Sequence, residues 1–182
     1  MLIYPFLKAV ARALSGKTNS GASFKVGETR LESMKRQLKD HDEVNLYLAD
    51  GIIKLYKLKK VEVLLLETSS HFGSQDKAKS SFDHHKGLFG VLAMLKTVAD
   101  EFYLGSVSTF SKLKLFFVHA SGKSLYLWSM KFVQEGPAYE LWLEGAHEIN
   151  TSFEEKVEQL PKAITFFWMM KAMPFETNGG SS

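Results

Sequence analysis

Val61-Glu62-Val63-Leu64-Leu65-Leu66-Glu67-Thr68-Ser69, residues 61–69, is the stretch on which the fold turns. Its middle, Val63 to Leu66, is apolar at every position, which suits a strand covered on both faces. It reads as a central strand. Upstream, Asn45 to Leu48 and Ile52 to Leu58 also have strand character, and Asp50-Gly51 between them marks either a bend within a hairpin or a bulge in a longer strand. Downstream lies a polar turn, Ser69 to Gln75. Beyond it Leu88, Val91, Leu92, Leu95, Val98, Ala99 and Phe102 fall on one wide helical arc, which predicts a long helix from about Asp76 to Phe102. Residues 46 to 102 therefore predict a β-meander followed by one long helix inside a single α/β domain.

The flanks add further elements. Leu31, Met34 and Leu38 recur at helical spacing, predicting a first core helix over Glu28 to Lys39. Three strands are expected near Lys112 to His119, Ser124 to Val133 and Ala138 to Ala146, with turns at Ser121-Gly122-Lys123 and Glu135-Gly136-Pro137. A last helix is expected from Phe153 to Met173, kinked or broken at Pro161. Ile3 to Leu14 has helical spacing with Lys8 and Arg12 on one face, and Ser15 to Ser23 is rich in small polar residues. That start has the composition of a mitochondrial presequence, although a peripheral helix and linker is the plainer account. The expected organisation is a helix and linker over 1–26, an α/β domain over 27–174 and a flexible tail over 175–182.

The chain has 182 residues, 45% of them hydrophobic and 24% charged, which suits one well-buried core. It contains no cysteine, which excludes disulfides, zinc–thiolate sites and thiol catalysis. No apolar run reaches the roughly 18 residues of a membrane span, so no integral membrane association is expected. An intracellular site, nuclear or cytoplasmic, is the expectation, with a mitochondrial address as the alternative from the basic N-terminus. Residues 1–27 hold Lys8, Arg12, Lys17 and Lys25 and no acid, so the remaining chain is close to neutral against a total of +3. Bulk charge does not attract nucleic acid, and local basic patches would have to.

Several chemistries fail on spacing. Gly122-Lys123-Ser124 and Gly16-Lys17-Thr18 imitate a phosphate-binding loop, but Phe117 and Ala11 stand where its first glycine belongs. Ser69, Ser70 and His71 lack the glycine-flanked elbow of a serine hydrolase. Adjacent His84 and His85 point about 100° apart on a helix and cannot share a metal as an i, i+4 pair does. What remains is Glu28, Asp50, Glu67 and the polar side of the long helix. Metal-assisted phosphodiester hydrolysis requires converging carboxylates on a hard cation and a nearby lysine. Consecutive strands of one meander would bring Asp50 and Glu67 together by pairing, and Glu67 ends an apolar face, where a carboxylate needs a partner. The plainer accounts are a solvent-reaching strand end for Glu67 and a hairpin turn for Asp50. Lys79, Asp83 and Lys86 share one helix face, which also suits a solvated side with weak ion pairs. Gly87 and Gly90 flank that face, however, and each costs about 1 kcal/mol relative to alanine, which points to a close approach.

Leu48-Ala49-Asp50-Gly51, Leu65-Leu66-Glu67-Thr68-Ser69 and Ser81-Phe82-Asp83-His84-His85-Lys86-Gly87 together resemble PD-(D/E)XK nuclease-like domains, including those of uncharacterised fungal proteins and of Crinkler-type effectors. The likeness covers about Gly27 to Ile149. It implies an α/β restriction-endonuclease-like core of order αβββαβ, with a mixed central sheet flanked by helices. It further implies Asp50 and Glu67 as ligands of Mg²⁺ or Mn²⁺, Glu28 (or Glu32) as a supporting acid, and DNA as the partner. The family signature has lysine two residues after the glutamate, where this chain has Ser69. A lysine from the following helix would replace it, Lys86 first and Lys79 second. Lys54, Lys57 and Lys79 are candidate phosphate contacts, and Lys59 and Lys60 extend the same basic segment, which would equally blunt an edge strand. The implied activity is metal-dependent cleavage of DNA, or, in a degenerate member, a non-catalytic module that binds nucleic acid or protein.

Overall fold

Short turns between consecutive strands favour antiparallel pairing, and a long crossover permits a parallel pair. The computed structural model describes residues 3–38, 47–136, 138–149 and 154–172. The elements in chain order are α1 (Tyr4–Thr18), β1 (Ala22–Arg30), α2 (Glu32–Gln37), β2 (Leu48–Leu55), β3 (Val61–Ser69), α3 (Lys77–Glu101), α4 (Val107–Phe110), β4 (Leu115–Ser121), β5 (Ser124–Val133), β6 (Ala138–Glu148) and α5 (Lys156–Ala172). They form an α/β fold with a six-stranded mixed sheet of order β1-β2-β3-β4-β5-β6. Among the described strands only β3 and β4 pair in parallel, and α3 with α4 makes their crossover. Among the described residues no helix is long and apolar enough to cross a membrane.

The all-apolar centre of β3 is explained by layers on both sides. Leu65 pairs with Ile52 and Phe117, and this row faces α3: a Cβ on Gly87 would lie 2.2 Å from the Phe117 ring, and one on Gly90 would lie 2.7 Å from Leu65. On the other face, Leu64 pairs with Ile53 and Phe116, and Ile53 with Phe24, whose ring lies 6.0 Å from that of α1's Tyr4. Helix α5 joins α1 on that face, with Phe6 and Phe167 stacked at 4.5 Å. Both Leu64 and Leu65 are consequently buried.

Three expectations change. The stretch expected as linker and helix start is instead β1, so Glu28 lies on a strand and the boundary expected at residue 26 falls inside it. The helix that Leu31, Met34 and Leu38 suggest begins only at Glu32, because Gly27 at φ 89° sits in a bulge between Val26 and Thr29 that keeps the chain extended. Asp50-Gly51 lies inside the single strand β2, as the longer-strand alternative has it, with the irregularity on β1 across from Asp50, so the expected meander has two strands, β2 and β3, and not three. Gly51 is required there by close approach, since a Cβ would stand 2.7 Å from the Phe24 ring. Pro161 lies inside α5 without ending it. The expected strand residues Asn45 and Leu46, the helix ends Lys39, Phe153 and Met173, and the tail over 175–182 lie outside the described residues.

Candidate functional site

Antiparallel pairing of Gly51 with Leu66 places Asp50 beside the Glu67–Thr68 segment. Asp50 Oδ2 accepts the Thr68 backbone N–H at 2.7 Å, which fixes the carboxylate against β3. Glu67 follows Leu65 by the strand period of two and so points under α3. It is only 2% exposed. Lys86, one residue before Gly87, comes down onto it: Nζ donates to Glu67 Oε2 at 2.9 Å and to the Leu48 carbonyl at 2.7 Å. The two helix glycines let α3 sit low enough on the sheet for this lysine to reach.

Tyr47 completes the cluster. Its ring lies 4.7 Å from Lys86 Nζ, in cation–π range. Its hydroxyl stands against Glu67, and burial, then that carboxylate, pushes the phenol pKa far up. The tyrosine interaction helps lower the carboxyl pKa, yet neither the Tyr47 hydroxyl nor Glu67 Oε1 makes a hydrogen bond of regular geometry. Desolvation dominates at Glu67 and, with Asp50 adding, raises it to about 7 against the opposing pull of Lys86 and Tyr47.

The other expected residues are placed differently. Glu28 lies exposed in the β1 bulge, which spans the positions across from Asp50 between the Val26↔Gly51 and Thr29↔Ala49 pairs. Glu32 starts α2, and its N–H donates to Glu62. Lys54 is four residues along β2 from Asp50, roughly 13 Å at strand rise, and pairs with buried Glu62 at 2.9 Å. Lys57 holds Asn19 Oδ1 at 2.6 Å. Both lie toward the opposite end of the sheet from Asp50. Lys79 Nζ is 3.7 Å from Asp83 Oδ2, so Lys86 alone of the two candidate helix lysines contacts Glu67.

Ser69, the position of the absent lysine, has its own partner: Oγ lies 2.8 Å from His119 Nε2, and both residues are buried. Burial, then His84, pushes His119 down to about 4, with Asp83 opposing. Sequence reasoning did not single out Tyr47 or His119. The polar break that His119 makes after Leu115 to Val118 was the available signal for the second, and Tyr47 offered none.

Among the described residues no three His, Asp or Glu side chains form a ready metal cage. Two neighbouring carboxylates and an orphaned buried oxygen, Glu67 Oε1, are nonetheless the donor chemistry of a hard divalent cation that keeps several waters. In that sense the residues fit Mg²⁺ or Mn²⁺. No protein-family model, curated protein or solved structure matches the chain.

Proposed function

We propose that the chain is a divalent-metal-dependent nuclease-like domain of PD-(D/E)XK type acting on DNA phosphodiesters, with Asp50 and Glu67 holding Mg²⁺ or Mn²⁺ and Glu28 as a supporting acid. The observation that carries the reading is the Lys86 Nζ contact to Glu67 at 2.9 Å, which supplies from α3 the cation that Ser69 does not. Only two strands, β2 and β3, lie between α2 and α3 where the αβββαβ order has three, and β1, which pairs with β2, comes before α2. When bound, the metal polarises the phosphate and acidifies the attacking water. The rest falls to the chain. Thr68 N–H orients Asp50, and the Leu48 carbonyl and Tyr47 ring aim the Lys86 ammonium, which stabilises charge developing on the phosphate.

Purified protein incubated with Mg²⁺ or Mn²⁺ and either plasmid or single-stranded DNA is expected to cleave. Glu67→Ala should abolish cleavage, and Lys86→Ala should slow it by about 10²- to 10³-fold. Wild-type protein no more active than Glu67→Ala would sink the reading. A second reading, a non-catalytic interaction module, is favoured by the Lys86 bond to the Leu48 carbonyl, because it makes the lysine a structural tie between α3 and β2. That reading expects Lys86→Ala to lower stability in a protein without metal-dependent cleavage.

A further inference from the structure

Strand pairing extends the row that begins at Glu67 to His119 on β4 and then to Tyr126 on β5. Neighbouring strands are about 4.8 Å apart, so the row leaves the carboxylate pair in strand-sized steps. It ends at a cavity of about 570 Å³ lined in part by Ser80, Ser81, His84, His119, Tyr126 and Trp128. That volume lies within the roughly 300–1,000 Å³ typical of small-ligand sites.

The lining favours a flat heterocycle. The His84 ring is 5.0 Å from Trp128 and 5.6 Å from His119, and His119 is 6.4 Å from Tyr126, so four aromatic rings gather at one site. The Ser69 bond fixes His119 in place. Trp128 Nε1 has no hydrogen-bond partner among the described residues. A phosphate fits less well, because the charges of Asp76 and Lys77 in the lining offset one another and the Asp76 carboxylate already accepts the Lys79 N–H at the start of α3, at 2.9 Å.

We propose that this cavity receives an unpaired nucleobase, making the substrate single-stranded or locally opened DNA. The inference rests on the nuclease reading, since the cavity begins at His119, one strand beyond Glu67 along the paired row. A base inside a duplex is stacked and has to leave the helix to enter.

The test is binding of the full chain, in EDTA, to a short oligothymidylate, an abasic strand of equal length and a blunt duplex, read by fluorescence anisotropy. Base stacking on aromatic side chains predicts a preference of about five- to a hundredfold for oligothymidylate over the abasic strand. Trp128→Leu should lose that preference, but it risks the fold. Ser81→Trp, at an exposed helix position on the cavity, should lose it in a folded protein. Equal affinity for the thymidylate and abasic strands, or a preference that survives Ser81→Trp in folded protein, overturns the proposal. Metal-dependent cleavage without base preference rejects the cavity and leaves the nuclease. Base preference without cleavage does the reverse.

Discussion

In the unfolded chain Glu67 loses its proton near the ordinary carboxyl value of 4.5, whereas in the fold it keeps it to about 7. Between those values the folded state binds the extra proton, so this residue's contribution to stability falls as pH rises through the window. At 1.36 kcal/mol per pH unit the accumulated cost above pH 7 is about 3 kcal/mol. His119 slopes the other way: its folded value near 4 lies below 6.5, so stability is lost as pH falls through that range. Glu67→Gln removes the carboxyl ionisation and leaves His119 in place. We expect the variant to be more stable than wild type by up to about 3 kcal/mol at pH 8 and near parity at pH 4, by urea denaturation at both pH values. An equal difference at the two pH values would mean that Glu67 titrates like a surface carboxylate. The pairing of Asp50 with Glu67 was legible from strand period and proximity, and Lys86 from helix spacing together with the resemblance. Tyr47 was not, because its contacts depend on where α3 crosses the sheet, a tertiary fact with no local pattern.

Helix α3 shows how an element delivers a residue. Gly87 and Gly90 weaken it by intrinsic propensity, yet both are buried where the helix meets Phe117 and Leu65. Gly87→Ala should gain up to about 1 kcal/mol of helix propensity and lose about 1–3 kcal/mol by overpacking against a buried ring. The net expectation is destabilisation. Gly16→Ala, in α1 with nothing within 4 Å of the new Cβ, should instead stabilise by up to about 1 kcal/mol. Thermal melts of the two variants check the pair, and a stabilised Gly87→Ala would contradict the close approach that positions Lys86. Helix α3, β3 and β5 were legible because long apolar arcs and strand-length runs survive without tertiary context. Strand β1 was not: it lies at the sheet edge, pairs only with β2, and buries little beyond Ala22 and Phe24, so its alternation is nearly invisible among polar residues.

At the scale of the molecule, the helices divide between two sheet faces and share one core. Helix α1 contributes Leu7, Val10, Ala11 and Leu14 to the same buried cluster as Phe24, Ile53, Leu64 and Phe116. Its exposed Lys8 and Arg12 explain why the segment reads from sequence as a basic amphipathic leader, since a helix lying on a sheet shows the same one-sided pattern. The two readings predict different energetics. A dispensable leader can be cut away, whereas an element packed on β1 and α5 cannot. Leu7 is fully buried, so Leu7→Ala should cost about 2–5 kcal/mol, a large share of the roughly 5–15 kcal/mol that holds a domain together. Lys8→Ala and Arg12→Ala, at exposed positions, should stay within about 0.5 kcal/mol of wild type. Removing residues 1–18 should abolish the cooperative unfolding transition, because Leu7, Val10, Ala11 and Leu14 would be lost from the buried cluster that holds Ile53, Leu64 and Phe116. Guanidinium titrations of the four proteins decide between the readings. A truncated chain that unfolds cooperatively at the wild-type midpoint would show that the sheet closes its core without α1, and the three-layer account of β3's apolar run would then have to rest on α5 alone.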